Sequence, residues 1–322
     1  MYDVITIGSA MRDVFLISDD ITVIKSAKSK TGAYECLPLG SKIEVDKLVL
    51  TSGGGATNAA ATFASLGYKT AAVGSIGDDT PGRGLKEELK AHSIGTSLIK
   101  TVPGGQTGYS ALVTTPKGER TVLVYRGVSA QMSAKDIPWS KLKTKWIYMT
   151  SLGGNLGLAK RIVNEAHQKN IQLAYNPGMA EIQKGWAAFK PLLPKLSLLM
   201  MNLEEAAELT GKKTREDIMR LFARYNLILV ITDGANGSYA QLGDEVWFAK
   251  PTKVKPISRT GAGDAFGSAF VASIIKDDDL GQALQVATLN AESVIQSIGA
   301  KIGILKAFPT TTKRNKIKIK KI

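Results

Sequence analysis

Thr260-Gly261-Ala262-Gly263-Asp264 runs directly into Ala262–Lys276, a stretch of small and apolar residues that reads as a helix. Small residues let backbone approach a ligand closely, and the free N–H groups of a helix's first turn point at an anion. Asp264 would lie within that turn, beside the anion. A carboxylate there can take a proton from an attacking hydroxyl while the neighbouring amides stabilise the charge of a transferred phosphoryl group. General-base help is worth ~10²–10⁴-fold, and each donor of an anion hole on the order of 10²–10³. The plain alternative is a turn with Asp264 as a helix cap.

Outward from this loop, strand and helix patterns alternate from Gly53 onward, as in βαβ units. Ala59–Leu66 reads as an Ala-rich helix with Gly67 just past its end, followed by the strand Thr70–Ser75; Pro81 starts a helix to His92. Trp146–Met149, Gln172–Tyr175, Leu196–Met201 and Leu227–Ile231 are short apolar runs separated by helix-like stretches. That series predicts a mostly parallel, doubly wound α/β sheet with both faces covered. Ala262–Lys276 and Leu280–Ile298 read as two closing helices. Residues 14–50 and 104–127 differ: they are rich in Val, Ile, Thr and Gly without a helical period. Thr107–Thr115, Pro116-Lys117-Gly118-Glu119 and Arg120–Tyr125 form a hairpin pattern, so both stretches are expected in a small sheet projecting from the main domain. No repeat or linker divides residues 1–322.

Composition narrows the function. The 322 residues are 44% hydrophobic and 22% charged, the proportions of a globular protein. The single Cys36 cannot form an internal disulfide, and with two histidines a Cys/His zinc site is excluded. No apolar run approaches the ~20 residues of a membrane span, and a reducing cytoplasm is the natural setting. The net charge is +14, of which Lys313, Arg314, Lys316, Lys318, Lys320 and Lys321 supply six; the remaining +8 suits an enzyme of anionic substrates. The basic tail, residues 313–322, alternates Lys with Ile and reads as an edge strand or a solvated tail. A nucleic-acid role for it finds no supporting motif elsewhere.

Three more loops carry candidate chemistry. Thr51-Ser52-Gly53-Gly54-Gly55-Ala56-Thr57-Asn58 is a second glycine-rich entry into a helix. Asn202 and Glu205 follow an apolar strand, at the carboxyl edge where α/β sheets bind ligands. A neutral Asn and a carboxylate suit a water-rich Mg²⁺ shell; they also suit a capping box, Asn202 at the cap and Glu205 at N3. Thr232-Asp233-Gly234-Ala235-Asn236-Gly237 ends another strand, as a phosphate loop or a hairpin. Neither a Walker A nor a G-x-G-x-x-G fingerprint occurs, which weighs against P-loop ATPases and NAD enzymes.

The order of these motifs resembles the PfkB, or ribokinase-like, family of carbohydrate and nucleoside kinases over about residues 3–309. Gly8…Asp13 is similar to the family's first-strand motif, Gly53-Gly54…Asn58 to its acceptor-binding glycine pair, and Gly74…Gly77-Asp78-Asp79…Gly82…Gly84 to the rest of its first signature. Asn202…Glu205 resembles its N-x-x-E, Thr232…Gly234…Gly237 its nucleotide loop, and Gly261-Ala262-Gly263-Asp264 its catalytic signature. The resemblance implies ATP-dependent phosphorylation of a hydroxyl, with Asp264 as base and Gly261, Ala262 and Gly263 as the anion hole. Asn202 and Glu205 would organise Mg²⁺ and the phosphates through water. Thr232, Gly234 and Gly237 would border the nucleotide, with Asn290 near the adenine; Asp13, Gly53, Gly54 and Asn58 would hold the acceptor. It further implies a β-sheet lid, residues 14–50 and 104–127, that closes over the substrate; an exposed edge of that lid would favour a homodimer.

Departures from the family pattern bear on the substrate. Met11 stands where ribose kinases carry an Asn, and Thr150-Ser151-Leu152 where they carry Gln-x-Glu. An apolar Met11 is more like the nucleoside-kinase branch, while Tyr125-Arg126 looks like the segment of sugar-acid and hexose kinases in which an Arg meets a carboxylate or phosphate. Ser258-Arg259 replaces the usual Asp-Thr; the Asp helps ligate a monovalent cation in K⁺-activated members, so K⁺ activation is not expected. The sequence thus points to a sugar or sugar-derivative kinase. The alternatives are a nucleoside kinase of the same family and a catalytically silent sugar or nucleotide sensor.

Overall fold

The computed structural model describes residues 1–29, 31–116 and 118–322; Lys117 of the expected hairpin turn therefore lies outside the described residues. Its centre is a nine-stranded sheet. Six strands run parallel, in the order β6 (Thr70–Val73), β1 (Tyr2–Ile7), β11 (Thr144–Met149), β12 (Gln172–Tyr175), β13 (Leu198–Asn202) and β14 (Ile228–Thr232). Three antiparallel strands extend it: β15 (Ser238–Leu242), β16 (Glu245–Lys250) and β17 (Lys318–Lys321).

The period of two in these strands sends alternate side chains into two cores. Ile5, Ile7, Ile147, Met149, Leu199, Met201, Leu229 and Ile231 face one side. There they meet α3 (Leu156–Gln168), α4 (Met179–Ile182), α5 (Trp186–Phe189), α6 (Leu203–Thr210) and α7 (Arg215–Phe222). Val4, Tyr148, Leu198, Met200, Ile228 and Val230 face the other, against α1 (Gly55–Ser65), α8 (Ala262–Asp277) and α9 (Leu280–Val294). A third cluster packs α2 (Thr80–Ala91) on α1 through Leu85, Leu89, Ala60 and Ala61. The short helix α10 (Thr311–Arg314) leads the chain into β17.

A separate four-stranded sheet has the order β10 (Arg120–Tyr125), β9 (Gly108–Thr114), β2 (Met11–Ile17), β5 (Lys47–Gly53). β9 and β10 pair antiparallel, as the hairpin pattern requires. Among the described residues, 18–29 and 31–46 do not join this sheet. They hold a small hairpin of their own, β3 (Thr22–Lys25) with β4 (Ala33–Cys36), and β7 (Ser75–Gly77) pairs with β8 (Lys100–Val102). Two boundaries differ from the sequence pattern for a local reason. Helix α1 begins at Gly55 rather than Ala59, because Gly54 takes a positive φ of 91° and turns the chain directly into it. Strand β13 begins at Leu198 rather than Leu196, because a 3₁₀ turn, Lys190–Lys195, ends only at Leu196.

Candidate active site

The parallel strands end on one edge, and the loops that follow them gather there. Gly261 caps α8 with a left-handed φ of 79°, and a Cβ on it would come within 2.3 Å of the Ala300 Cβ. Only glycine makes that turn without strain. A Cβ on Gly263 would meet nothing within 4 Å, so the first turn of α8 opens onto free space. A cavity of about 370 Å³ lies there, lined by Ala262, Gly263, Thr232, Gly234, Gly237 and Arg259 among others. Thr232 ends β14, and Gly237 (φ 124°) immediately precedes the return strand β15; a Cβ on it would collide with Phe248 and the Ala249 carbonyl. The loop is thus both a hairpin and a cavity wall. It brings the expected nucleotide residues Thr232, Gly234 and Gly237 beside Gly261–Gly263.

Asp264, next along α8, accepts a hydrogen bond on Oδ2 from Asn58 Nδ2 of α1 at 2.9 Å. Burial pushes its carboxyl up from the usual range, against the Asn58 hydrogen bond and the nearby Lys301 charge, which pull it down. Asp13, on β2, is buried, and its carboxyl is also raised, first by burial and further by Asp264 and Glu88; a Ser110 hydrogen bond and Lys301 oppose this. Gly53 is required beside it, since a Cβ there would fall 2.0 Å from Asp13 Oδ2. Gly54 is pressed likewise against the Ser9 carbonyl, 2.4 Å from where its Cβ would stand. Asp13, Gly53, Gly54, Asn58 and Asp264 therefore form one contiguous group.

Four expected residues stand apart from it. Asn290 is fully buried: its amide donates to the Ala265 carbonyl at 2.8 Å and accepts from Leu305 N–H at 2.9 Å. Its polar atoms tie α8 and α9 to the following loop, and it does not line the cavity; Thr288, Ala291 and Glu292 of α9 and Ile295 just past it do. Asn202 and Glu205 form the capping box of α6, Asn202 Oδ1 accepting from Glu205 N–H at 2.8 Å and Glu205 Oε2 from Asn202 N–H at 2.9 Å. Burial raises the Glu205 carboxyl, and Glu204 adds to this against the Asn202 hydrogen bond. Arg126 is exposed at the end of β10.

The structure adds three residues that the motifs did not mark. Glu88 of α2 accepts from Ser52 N–H and Ser52 Oγ, each at 2.7 Å, and pairs with Arg12 at 3.0 Å. Lys301, 6% exposed, donates to Asn58 Oδ1 at 2.7 Å and to the Ser52 carbonyl. Glu88 falls three residues after Leu85 and one before Leu89 on the buried face of α2, and that acidic residue on an apolar stripe is a signal in the sequence. At the mid-chain departure, the Thr150 hydroxyl donates to the Ile7 carbonyl and Ser151 to the buried Glu181, so both hydroxyls are spent on the fold.

Residues 1–307 match the pfkB family of carbohydrate kinases. An uncharacterized sugar kinase of Archaeoglobus fulgidus is 27% identical over 245 residues, 74% of this chain and 96% of that protein. The ribokinase of Bacillus subtilis is 25% identical over 299 residues, 91% of this chain and 96% of its own. The crystal structure of adenosine kinase from Sinorhizobium meliloti superposes with a TM-score of 0.79 at 24% identity, covering 98% of this chain and 99% of that one. The doubly wound sheet with its small separate sheets is the fold expected from the motif order. The chain belongs to the pfkB family of carbohydrate kinases, phosphotransferases that act on an alcohol group.

Proposed function

We propose that this kinase transfers the γ-phosphoryl group of ATP to a hydroxyl, of the hydroxymethyl type, on a sugar or sugar derivative, with Asp264 as general base. The observation that carries this is the placement of Asp264: its carboxylate is held by Asn58 in the first turn of α8, one residue beyond the Gly263 wall of the cavity. Burial gives that carboxyl a raised proton affinity, which suits accepting a proton near neutral pH. The acceptor would lie on the Asp13, Gly53, Gly54 and Asn58 side, its hydroxyls bonded to Asp13. The Gly261–Gly263 amides would face the transferring group and hold its developing charge. Thr232, Gly234 and Gly237 would border the nucleotide.

Glu205 fits a hydrated Mg²⁺. One carboxylate oxygen caps Asn202 N–H, and among the described residues the other has no protein hydrogen-bond partner. When bound, the ion would offset charge on the transferring phosphates. Ser258 is buried, accepts from Thr260 N–H, and offers no carboxylate to a monovalent cation, so replacing K⁺ by Na⁺ should leave turnover unchanged. The four-stranded sheet would act as the lid, excluding water on closure, and a second copy would cover its exposed edge in a homodimer.

A nucleoside acceptor is the second reading. Met11, 6% exposed, packs an apolar side chain beside Gly108 at the start of β2. Release of ADP from Mg-ATP across sugars, sugar acids and nucleosides, with Asp264→Asn as the blank, tests both. We expect turnover on a sugar or sugar acid and a loss of roughly 10²–10⁴-fold in the variant. Turnover confined to nucleosides would make Met11 the informative residue and overturn the sugar reading. Silence on every acceptor with ATP binding intact would make the chain a sensor.

A further inference from the structure

Lys301 lies in Ser297-Ile298-Gly299-Ala300-Lys301-Ile302-Gly303, just past α9, and no motif draws attention to it. Its ammonium is buried where five elements meet. It faces Glu88 of α2, Asp13 of β2 and Asp264 of α8, with the Arg12 guanidinium also close. Its hydrogen bonds go to the Ser52 carbonyl and to Asn58 Oδ1, the latter at 2.7 Å.

A carboxamide has one acceptor oxygen and one donor nitrogen. An ammonium on Asn58 Oδ1 therefore fixes which way that amide points: its NH₂ is turned to Asp264 Oδ2, at 2.9 Å. With the amide reversed, two oxygens would face each other and Asp264 would lose its donor. The charge of Lys301 matters as well. Burial favours the protonated form of both Asp13 and Asp264, and the Lys301 charge opposes this at each, which keeps a carboxylate available as a base. We propose that Lys301 is a positioning residue for phosphoryl transfer, orienting the Asn58 amide toward Asp264 and keeping that carboxylate aimed and ionised. The proposal rests on Asp264 being the base.

Burial brings the Lys301 ammonium down to about 8, against the pull of Glu88, Asp13 and Asp264, so it carries its charge through neutral pH. The sign of the effect on Asp264 follows. Removing a positive charge favours the protonated carboxyl, so the acid limb of the pH–rate profile must move to higher pH in a neutral variant.

The experiment measures kcat, acceptor KM, Mg-ATP affinity and pH–rate profiles for Lys301→Met, Lys301→Gln and Lys301→Arg, beside wild type and Asp264→Asn. We expect Lys301→Met to lose roughly 10²-fold in kcat with ATP affinity retained, and its acid limb to rise by about one pH unit. Lys301→Gln can still donate to Asn58, so it should recover part of kcat with the limb still displaced. Lys301→Arg should return the limb toward wild type. A folded Met or Gln variant with wild-type kcat overturns the proposal, as does lost kcat with an unmoved limb. If Met and Gln both fail to fold while Arg matches wild type, the role is structural and the proposal falls. Wild-type turnover in Asp264→Asn would instead defeat the base assignment itself, a result distinct from any of these.

Discussion

Gly53 is where a single missing Cβ shapes the chemistry. Asp13 leans over it so closely that a methyl group would displace the carboxylate, yet the Gly53 backbone is extended and accepts alanine without strain. Gly53→Ala should therefore fold and still misplace Asp13. Loss of a hydrogen bond to a charged group costs about 1.5–3 kcal/mol, or roughly 10–100-fold in acceptor KM. Steady-state kinetics with acceptor and ATP varied separately check this; unchanged acceptor KM would remove Asp13 from the acceptor site. Residues of this kind were legible because glycine and aspartate in a glycine-rich helix entry have few other uses. Lys301 and Glu88 were not, because their significance comes from burial among groups that lie far apart in the chain: Ser52, Asn58 and Asp264 sit on three other elements. Asn290 is the converse case. A polar residue inside a small-residue helix reads equally as a ligand contact or as an internal tie, and its Ala265 and Leu305 partners show the tie.

At the scale of elements, the parallel strands were legible to within about two residues because each is a short apolar run with turn residues at both ends. Residues 18–46 were not, since β3 is exposed, β4 is only half-buried, and neither carries an inward-facing apolar period to mark a register. The edge strand β10 has a different consequence. Val122, Leu123, Val124 and Tyr125 are all exposed, Leu123 by 60%, and the strand pairs on one side only, with β9. An unprotected apolar edge is a template for pairing with another chain, and a second copy of the same sheet is the partner we propose. Sedimentation velocity at micromolar concentration should find a dimer, and the double variant Leu123→Lys, Val124→Lys should shift it to monomer with the fold retained. A monomeric wild type would sink the lid-mediated homodimer.

On the scale of the whole molecule, the basic C-terminus finds a structural use at the far edge of the central sheet. β17 adds to β16 in register from Trp247 opposite Lys321 to Lys250 opposite Lys318. Ile317 just before it is 1% exposed, and its carbonyl accepts from Gln285 of α9 at 2.9 Å. Ile319 packs on the same core, while Lys318 and Lys320 point outward and Lys321 pairs with Glu245 at 2.9 Å. The Lys–Ile alternation is therefore a strand pattern: isoleucines close the core, and lysines keep the open edge of a nine-stranded sheet from recruiting another chain. Deleting residues 313–322 should expose those isoleucines and the flank of α9. One buried isoleucine at about 1.5–3 kcal/mol and a half-buried one at roughly half that, with roughly 2–4 °C lost per kcal/mol, put the fall in Tm at about 5 °C or more. RNA retention on filters should be the same, and equally weak, for the full chain and the truncated one, because the lysines are spent on the sheet edge and on Glu245. An unchanged Tm together with a salt-dependent loss of RNA retention would reverse that assignment. It would make the tail a polyanion contact and leave the far edge of the sheet to be protected by something else.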